Sequence, residues 1–413
     1  MDLETKSEFN INSSSEKKNV IVIPTYWSRK KGEYQEGDII FDHPTPLDEE
    51  GTLIRCLESL NMLKSDFYLI LIVIPTHSDI EVDLEKKINS MILKSSLDYG
   101  IIVVFQSTID KICEKYEDGE LKEILNLKGY SQVRNACILI PSILNFKKFV
   151  LLDDDEVVLE EDFLEKAVEN IGSMFEERKI LAKAGIYLQS HGTPFFREKE
   201  KWWRMMLDGK KAMNEAFKIT KLNQRYVDTP FAFGGNMSVS SKVVEIGISF
   251  DPYISRGEDI DFLVNIKAEN FAFVFDNYLK ILHLPPGSHN PLWMKLREDA
   301  HRFLYMRCKL QNMRLLNAKR IITSKDLLPY PGPFLDWTLK ARIFSTSILL
   351  AFYYISKLKF KDSLAALYNI KLIFKNYDEI VNQYALFRKK YRQIAPKLIN
   401  RSDLTEILLK SKI

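Results

Sequence analysis

The chain has 413 residues, of which 59 are Lys or Arg and 56 are Asp or Glu, for a formal net charge of +3. Its 46% hydrophobic and 28% charged residues are typical of a folded globular protein. This composition excludes a disordered chain, a collagen-like fibre and a polytopic membrane protein. A total charge this close to zero gives no reason to expect nucleic acid as a partner.

The near-neutral total hides an uneven distribution of charge. From residue 338 onward the sequence has 15 Lys or Arg against 5 Asp or Glu, a net charge of +10, which leaves −7 for residues 1–337. Such a division suggests that the two parts of the chain meet different partners.

The cysteines and the first residues bear on location. The four cysteines are scattered, with no CxxC pair and no metal-ligand spacing, which fits a reducing compartment. Residues 1–19 are polar, carry both signs of charge and lack the apolar stretch of a signal peptide. We therefore expect a flexible arm at residues 1–19 and a cytoplasmic location.

Apolar strands alternate with helical segments along the first part of the chain. Strands are predicted at residues 20–26 (VIVIPTY), 67–76, 100–107 and 147–152, and helices at residues 52–63, 82–97 and 131–144. Continuous apolar strands separated by helices are typical of a parallel sheet that helices cover on both faces.

The pattern changes further along. We expect a strand at residues 180–189, a glycine-containing segment at 231–240, a helix at 256–267 and a pair of strands at 271–284. After a proline-rich stretch at residues 328–334 the pattern is helical. The sequence therefore predicts a large α/β domain at residues 20–330, followed by a basic helical region at residues 331–413.

An acidic run follows the fourth strand directly: Asp153, Asp154, Asp155 and Glu156. Open α/β sheets bind ligands at the carboxyl ends of their strands. Four acids there repel one another unless a cation is present, and oxygen ligands suit Mg²⁺ or Mn²⁺. Side chains alternate along extended backbone, so Asp153 and Asp155 can point the same way. The alternative is a loop of solvated charges.

Two shorter motifs come later. Residues 233–236 read Phe-Gly-Gly-Asn, in which two glycines permit a tight turn and close approach of the backbone to a ligand. An ordinary hairpin turn explains them equally well. Residues 256–259 read Arg-Gly-Glu-Asp at the start of a helix. One of these carboxylates can act as a general base for an acceptor hydroxyl, or both simply complement the helix dipole.

A histidine, His283, ends the last predicted strand, just before two prolines. A neutral imidazole can complete a carboxylate metal site. A structural role is the alternative. Trp203 lies between the acidic and glycine motifs, where an aromatic ring can stack on a sugar or belong to the core.

The order of these pieces resembles the family 2 glycosyltransferases of the GT-A fold. The pieces are a strand ending in Pro-Thr, an Arg-Asn helix start, a strand into Asp-x-Asp, Gly-Gly-Asn, Gly-Glu-Asp and a final His. The resemblance covers about residues 20–290. It implies a GT-A-like, Rossmann-type mixed sheet flanked by helices. It also implies metal-dependent transfer of a sugar from a UDP- or GDP-sugar donor to a hydroxyl acceptor.

The resemblance implies a role for each matching residue. The donor nucleotide would meet Pro24, Thr25, Tyr26, Arg134 and Asp154. The cation, Mn²⁺ or Mg²⁺, would be held by Asp153, Asp155 and His283. Donor sugar and acceptor would border Gly235 and Asn236. Asp259 would be the general base, with Glu258 assisting acceptor binding. Inversion is favoured, and retention stays open.

One stretch departs from the family pattern. Residues 74–79 read IPTHSD where these enzymes carry Asp-Asp-Gly-Ser, so Asp79 is the candidate to contact the nucleotide there. Two other functions remain open. One is a nucleotidyltransferase of related fold, and the other is a catalytically silent scaffold that docks on membranes.

The basic tail contains an uncharged stretch at residues 343–356, flanked by lysines. Its 14 residues fall short of the about 20 that a membrane-spanning helix needs. It is either a helix packed on the catalytic domain or a peripheral contact with an anionic membrane at the inner face. The second option would suit a lipid-linked acceptor, whereas a glycan or small-molecule acceptor needs no membrane.

Overall fold

The computed structural model describes residues 19–33, 41, 43–116, 119–287 and 290–412. The predicted arm at residues 1–19 lies outside the described residues except for Asn19. The strands are β1 (Asn19–Ser28), β2 (Thr45–Pro46), β3 (Phe67–Pro75), β4 (Gly100–Val104), β5 (Lys148–Leu151), β6 (Glu156–Val158), β7 (Met174–Phe175), β8 (Arg178–Leu188), β9 (Tyr226–Asp228), β10 (Met237–Ser240) and β11 (Ala272–His283).

Helices flank this sheet, and most of those after residue 290 are long. They are α1 (Leu53–Ser59), α2 (Glu81–Lys94), α3 (Gln106–Lys115), α4 (Leu121–Ile124), α5 (Tyr130–Ile143), α6 (Phe163–Val168), α7 (Gly209–Ala216), α8 (Lys242–Glu245), α9 (Glu258–Ala268), α10 (Leu292–Gln311), α11 (Leu339–Ile355), α12 (Phe360–Tyr368), α13 (Tyr377–Ile394) and α14 (Ser402–Leu409).

The strands form one mixed sheet in the order β4-β3-β1-β5-β10-β8-β11-β6. The first four strands in this order run parallel, β10 is antiparallel to both its neighbours, and β11 runs parallel to β8. The predicted fold class is confirmed: a mixed α/β sheet with flanking helices and a helical C-terminal region. The predicted strand pair at residues 271–284 is wrong, because β11 is one strand with an irregular register between Phe275 and Lys280.

The two faces of the sheet have separate cores. Along β1, Val20 and Val22 point into one core, and Ile21 and Ile23 point into the other. This alternation follows from the pleat, which sends successive side chains to opposite faces. All four side chains are fully buried, which explains why the strand reads as a continuous apolar run.

The C-terminal helices share the first of these cores. Leu339 and Ile343 of α11 and Leu404 of α14 belong to the same cluster as Val20. The predicted division at residue 330 stays a prediction. Among the described helices, none is both long enough and apolar enough to cross a membrane.

A buried ion cluster joins α9 to α10. Lys309 of α10 lies 2.7 Å from Asp251 and 2.7 Å from Asp261, and at most 1% of any of the three side chains is exposed. Removing one member would leave an uncompensated buried charge, which is strongly destabilising. The cluster therefore fixes the helix that opens with Glu258 and Asp259.

Candidate active site

A cavity of about 420 Å³ lies beyond the carboxyl ends of β1 and β5. Eight of the predicted site residues line its wall: Tyr26, Arg134, Asp153, Asp154, Asp155, Glu258, Asp259 and His283. They come from five separate parts of the chain, so the fold brings together motifs that the sequence keeps far apart.

The acidic run begins where β5 ends. The backbone N–H of Leu152 still donates to Val22 of β1, at 3.1 Å, and the chain then turns before β6 begins at Glu156. Inside this turn the backbone N–H of Asp153 donates to the Glu156 carboxylate at 2.9 Å. The turn therefore holds three successive aspartates at the edge of the sheet, where the cavity begins.

The Asp155 carboxylate lies between two imidazoles. Its Oδ2 atom is 3.3 Å from Nε2 of His43 and 3.5 Å from Nε2 of His283. The pairing of β11 with β6 places His283 beside the acidic turn. Burial raises the pKa of Asp155, but hydrogen bonds from His283 and His43 outweigh it, and the pKa lies well below its usual range. The carboxylate is therefore ionised.

The Asp154 carboxylate points toward β1. Thr25 Oγ1 donates to Asp154 Oδ2 at 2.5 Å, and Trp27 Nε1 donates to Thr25 Oγ1 at 3.0 Å. Burial and the charge of Asp155 raise the pKa of Asp154 to about 7. Asp154 is thus held in place by the strand that also carries Tyr26.

Asp153 faces a buried arginine. Arg134 Nη2 donates to Asp153 Oδ1 at 2.7 Å, and Arg134 Nε lies 3.8 Å from the Glu258 carboxylate. The guanidinium is only 5% exposed, and its Nε and Nη1 atoms have no hydrogen-bond partner among the described residues. Arg134 therefore has donors left for a ligand in the cavity.

The start of α9 places two carboxylates at the cavity wall. Gly257 precedes them in the left-handed conformation, with φ 75°, and a Cβ there would lie 2.9 Å from Arg302. Only glycine meets both demands without strain. Burial, followed by the charge of Glu258, raises the pKa of Asp259 to about 7. A carboxylate with that pKa can accept a proton near neutral pH.

Gly235 and Asn236 support the acidic turn instead of lining the cavity. A Cβ on Gly235 would lie 2.3 Å from Glu156 Oε1 and 2.5 Å from Asp153 Oδ2, and its backbone N–H donates to Tyr187 at 2.7 Å. The buried Asn236 amide donates to the backbone of β8 and β11. Because Gly235 has no side chain, its backbone can lie directly against the Glu156 and Asp153 carboxylates.

The structure does not bring the other predicted residues to the cavity wall. Pro24 lies inside the sheet, paired with β3. Asp79 forms an ion pair with Arg29 at 2.8 Å, beside a separate surface depression. Trp203 is 2% exposed and packs against Tyr353, with ring centroids 6.4 Å apart.

Three aromatic rings, those of Tyr26, Phe41 and Tyr130, pack together at what we call the aromatic end of the cavity. Tyr26 is 4.3 Å from Phe41 and 5.5 Å from Tyr130, and Phe41 is 5.0 Å from Tyr130, measured between ring centroids. Flat ring faces of this kind can stack on a planar ligand. Phe41, Tyr130 and also His43 stand outside every recognised motif, and no local pattern marks them.

Another part of the cavity wall is rich in basic residues, and we call it the basic end. Arg204 and Arg302 both form ion pairs with Asp299. Burial raises the pKa of Asp299, but the arginines outweigh it and bring the pKa to about 2. Lys295 lines the same end and has no ion-pair partner among the described residues. Lys295, Asp299 and Arg302 recur at helical spacing on one face of α10, a signal that was present in the sequence.

The donors around Asp155 fit a divalent cation by their chemistry. Two imidazole nitrogens and one ionised carboxylate are donors that transition metals accept, and carboxylates also suit Mg²⁺ and Mn²⁺. Within the part of the chain that the structure describes, no group of three such side chains stands in a ready-made metal geometry. The contacts between imidazole and carboxylate would have to give way to the ion.

No family model matches the sequence, and no curated protein matches it. Among solved structures, it is similar to the mannosyltransferase PcManGT from Pyrobaculum calidifontis, solved with GDP-Man and Mn²⁺. The identity is 10% and the TM-score 0.42, over 90% of this chain and 88% of that one. GalNAc-T7, solved with UDP, GalNAc and Mn²⁺, is 13% identical with a TM-score of 0.35, over 70% of this chain and half of that one.

A mycobacterial protein is 12% identical with a TM-score of 0.34, over 70% of this chain and 74% of that one. Identities and scores this low do not assign an activity.

Proposed function

We propose that the protein is a metal-dependent glycosyltransferase of the GT-A type, which transfers a sugar from a nucleotide-sugar donor to a hydroxyl acceptor. The observation that carries this proposal is the single cavity that collects eight residues from five separate motifs. The resemblance in motif order names these same residues as the donor, cation and base sites.

The aromatic end of the cavity is the proposed site of the donor nucleotide. A UDP- or GDP-sugar has a flat base, for which the partly exposed rings of Tyr26 and Tyr130 offer stacking surfaces. The Phe41 ring is 3% exposed and packs against both, so it supports them. The diphosphate of the donor is anionic, and Arg134 has unpartnered guanidinium nitrogens. Arginine suits this role because its planar fork matches phosphate oxygens.

Asp155, His283 and His43 are the proposed ligands of the divalent cation, Mn²⁺ or Mg²⁺. The two imidazoles favour Mn²⁺ over Mg²⁺. When bound, the cation would neutralise negative charge on the departing nucleoside diphosphate. Asp153, the third ligand by resemblance, binds Arg134 here, so we assign it the additional role of orienting that guanidinium.

Asp259 is the proposed general base. It would take the proton of the acceptor hydroxyl as the oxygen attacks the anomeric carbon, with inversion as the preferred outcome. Its pKa of about 7 lets it accept that proton near neutral pH. Glu258, next to Arg134, would help to place the acceptor.

The acceptor is proposed to enter at the basic end, beside Lys295 and Arg204. A glycan, a small molecule and a lipid-linked molecule all offer a hydroxyl, and basic side chains favour an acceptor that also carries negative charge. The proposed location is the cytoplasmic side of a membrane, where free thiols such as Cys137 persist.

A panel of nucleotide sugars tests the proposal. We expect the purified protein to release nucleoside diphosphate from one UDP- or GDP-sugar when Mn²⁺ or Mg²⁺ is present, and not in chelator. The Asp155→Ala variant should lose this activity, and Asp83→Ala, at an exposed acid on α2, should keep it.

Two other outcomes would replace the proposal. Release of pyrophosphate from a nucleoside triphosphate would indicate a nucleotidyltransferase. Inactivity with the whole panel, together with membrane binding, would favour a silent scaffold. Full activity in chelator would remove the metal assignment while leaving sugar transfer in place.

A further inference from the structure

Large apolar side chains are exposed along a short stretch of the C-terminal region. We call them the α11–α12 face and define it by these residues: Trp337, Phe344, Phe352, Ile355, Leu358, Phe360, Leu364, Leu367, Tyr368 and Phe374. Each is between 39% and 83% exposed. Single exposed apolar residues are normal on a protein surface, but a concentration of ten within 38 residues marks an interaction surface.

The exposed residues repeat at helical spacing. On α11, Phe344, Phe352 and Ile355 are separated by eight and three residues, so they lie on one side of the helix. On α12, Phe360, Leu364 and the pair at 367–368 do the same. The opposite side of α11 carries core residues. Each helix therefore has one side packed against the core and an apolar side that faces solvent.

The turn between the helices extends this apolar surface. Leu358 is 78% exposed and has φ 58°, a left-handed conformation that leucine rarely adopts. Nothing in the core requires an apolar side chain there. Lys357 and Lys359 flank it, and neither forms an ion pair with another described residue.

The charge around the face is strongly positive. Residues 336–375 contain seven Lys or Arg and two acids. Asp336 pairs with Arg342 at 3.2 Å, and Asp362 accepts a hydrogen bond from Trp293 at 3.0 Å. We propose that the α11–α12 face docks on the surface of a bilayer that contains anionic lipids. Apolar side chains would enter the interface, and the lysines would meet the headgroups.

A second copy of the chain fits this face poorly. Pairing two identical faces would bring two groups of seven basic residues together with only two acids in each. A bilayer supplies both the hydrocarbon and the negative charge that the face lacks. At 17 residues, α11 is shorter than the about 20 needed for a span, which suits a helix lying in the interface.

The face continues toward the cavity. The 3-10 turn Trp202–Leu207 packs on α11, with Trp202 and Tyr353 ring centroids 6.5 Å apart. Trp202 and Met205 of this turn are 54% and 59% exposed. Arg204, in the same turn, lines the basic end of the cavity. A bilayer on the face would therefore lie next to the proposed acceptor entrance.

Flotation of the full chain with lipid vesicles tests the proposal. We expect the wild type to float with vesicles of phosphatidylcholine and phosphatidylglycerol, less with phosphatidylcholine alone, and less as salt rises. The double variant Leu358→Ser, Phe374→Ser should bind about tenfold more weakly, because two large apolar side chains no longer enter the interface. Leu93→Ser is the matched control, at a leucine 75% exposed on α2.

A variant that removes positive charge separates the electrostatic contribution to vesicle binding from the apolar one. Replacing Lys357, Lys359 and Lys361 by Gln should abolish the preference for anionic vesicles, since each basic residue near such a surface adds to the attraction. All these positions are exposed, so thermal melts should match the wild type and exclude misfolding.

Three outcomes would overturn the proposal. Wild-type protein that stays at the bottom of the gradient with both vesicle types would exclude lipid docking. Equal weakening by Leu93→Ser would show that binding is non-specific. A wild-type dimer in light scattering that Leu358→Ser, Phe374→Ser converts to monomer would mean that a second copy covers the face. None of these readouts depends on transferase activity.

Discussion

The cavity and the α11–α12 face depart from an ordinary globular protein in opposite directions. In the cavity, Asp155 and Arg134 are 3% and 4% exposed, so charge is buried. On the face, Leu358 and Phe374 are 78% and 81% exposed, so hydrocarbon is left in water. Both arrangements lower the free energy of unfolding relative to a conventional choice of residues. The comparison indicates that each region is built to meet something outside the chain.

The two regions also differ in how mutations should act. Buried charges work through their immediate partners, so a single atom matters in the cavity. Exposed apolar residues act through their summed area, so no single one is indispensable on the face. The largest single-residue effects are therefore expected in the cavity.

The largest effect is expected from removal of the Asp155 carboxylate. We expect Asp155→Ala to lower sugar transfer by about 10³-fold or more, because several kcal/mol of charge stabilisation would be lost at 1.36 kcal/mol per tenfold. Steady-state assays across a Mn²⁺ titration measure this. Wild-type rates in the variant would show that the cluster of Asp155 and two imidazoles is structural.

Removing the proposed base should have the next largest effect. Asp259→Asn is expected to lower kcat by about 10²-fold or more while leaving donor affinity nearly unchanged. In the wild type, kcat/KM should rise with pH through about 7 as Asp259 loses its proton, and the variant should lack this step. A variant with full turnover or an unchanged pH profile would remove Asp259 as the base.

His43, which lies outside the motifs, tests the composition of the proposed cation site. His43→Ala should weaken Mn²⁺ binding by about 10- to 100-fold, judging by the usual effect of losing a group that supports a metal site. His77→Ala is the control, since its ring contacts Thr76 and does not line the cavity. Calorimetric titration with Mn²⁺ measures both. Equal affinities would exclude His43 as a ligand.

The smallest expected effect is on stability, from a substitution at Gly235. Gly235→Ala should lower the free energy of unfolding by about 1–3 kcal/mol, because its Cβ would overlap the Glu156 and Asp153 carboxylates. Gly119→Ala, where a Cβ meets nothing within 4 Å, is the matched control. Urea denaturation compares the two. A Gly235 variant as stable as this control would mean that the acidic turn can move aside.

The fold could be predicted from the sequence where local pattern decided it. β1 and β3 are buried on both faces, so each reads as a continuous apolar run, and the helices between strands carry their own periodicity. The error at residues 271–284 has a physical cause. Polar residues in the middle of β11 favour a turn by their pattern. Asp276 is nevertheless buried within the strand, because Lys183 neutralises its charge in an ion pair at 2.7 Å.

The site could be predicted only where chemistry lies in a short motif. Asp155 stands in an acidic run and His283 at a strand end, so the sequence marks both as candidates, and both line the cavity. His43 and Phe41 reach the cavity through tertiary folding alone. Trp203 shows where the sequence is ambiguous, because an aromatic residue between two motifs can stack on a sugar or belong to the core. In the structure it is 2% exposed and packs against Tyr353.

The last residues of the described chain have a consequence for solubility. The backbone N–H of Val103 in β4 donates to Ser411 at 2.9 Å, and Ile102 forms an antiparallel bridge with Lys412. β4 is the outermost strand of the sheet on that side, and an open strand edge invites pairing with other molecules. Residues 411–412 thus act as a cover for that edge, and shortening the chain before Ser411 would expose a template for aggregation.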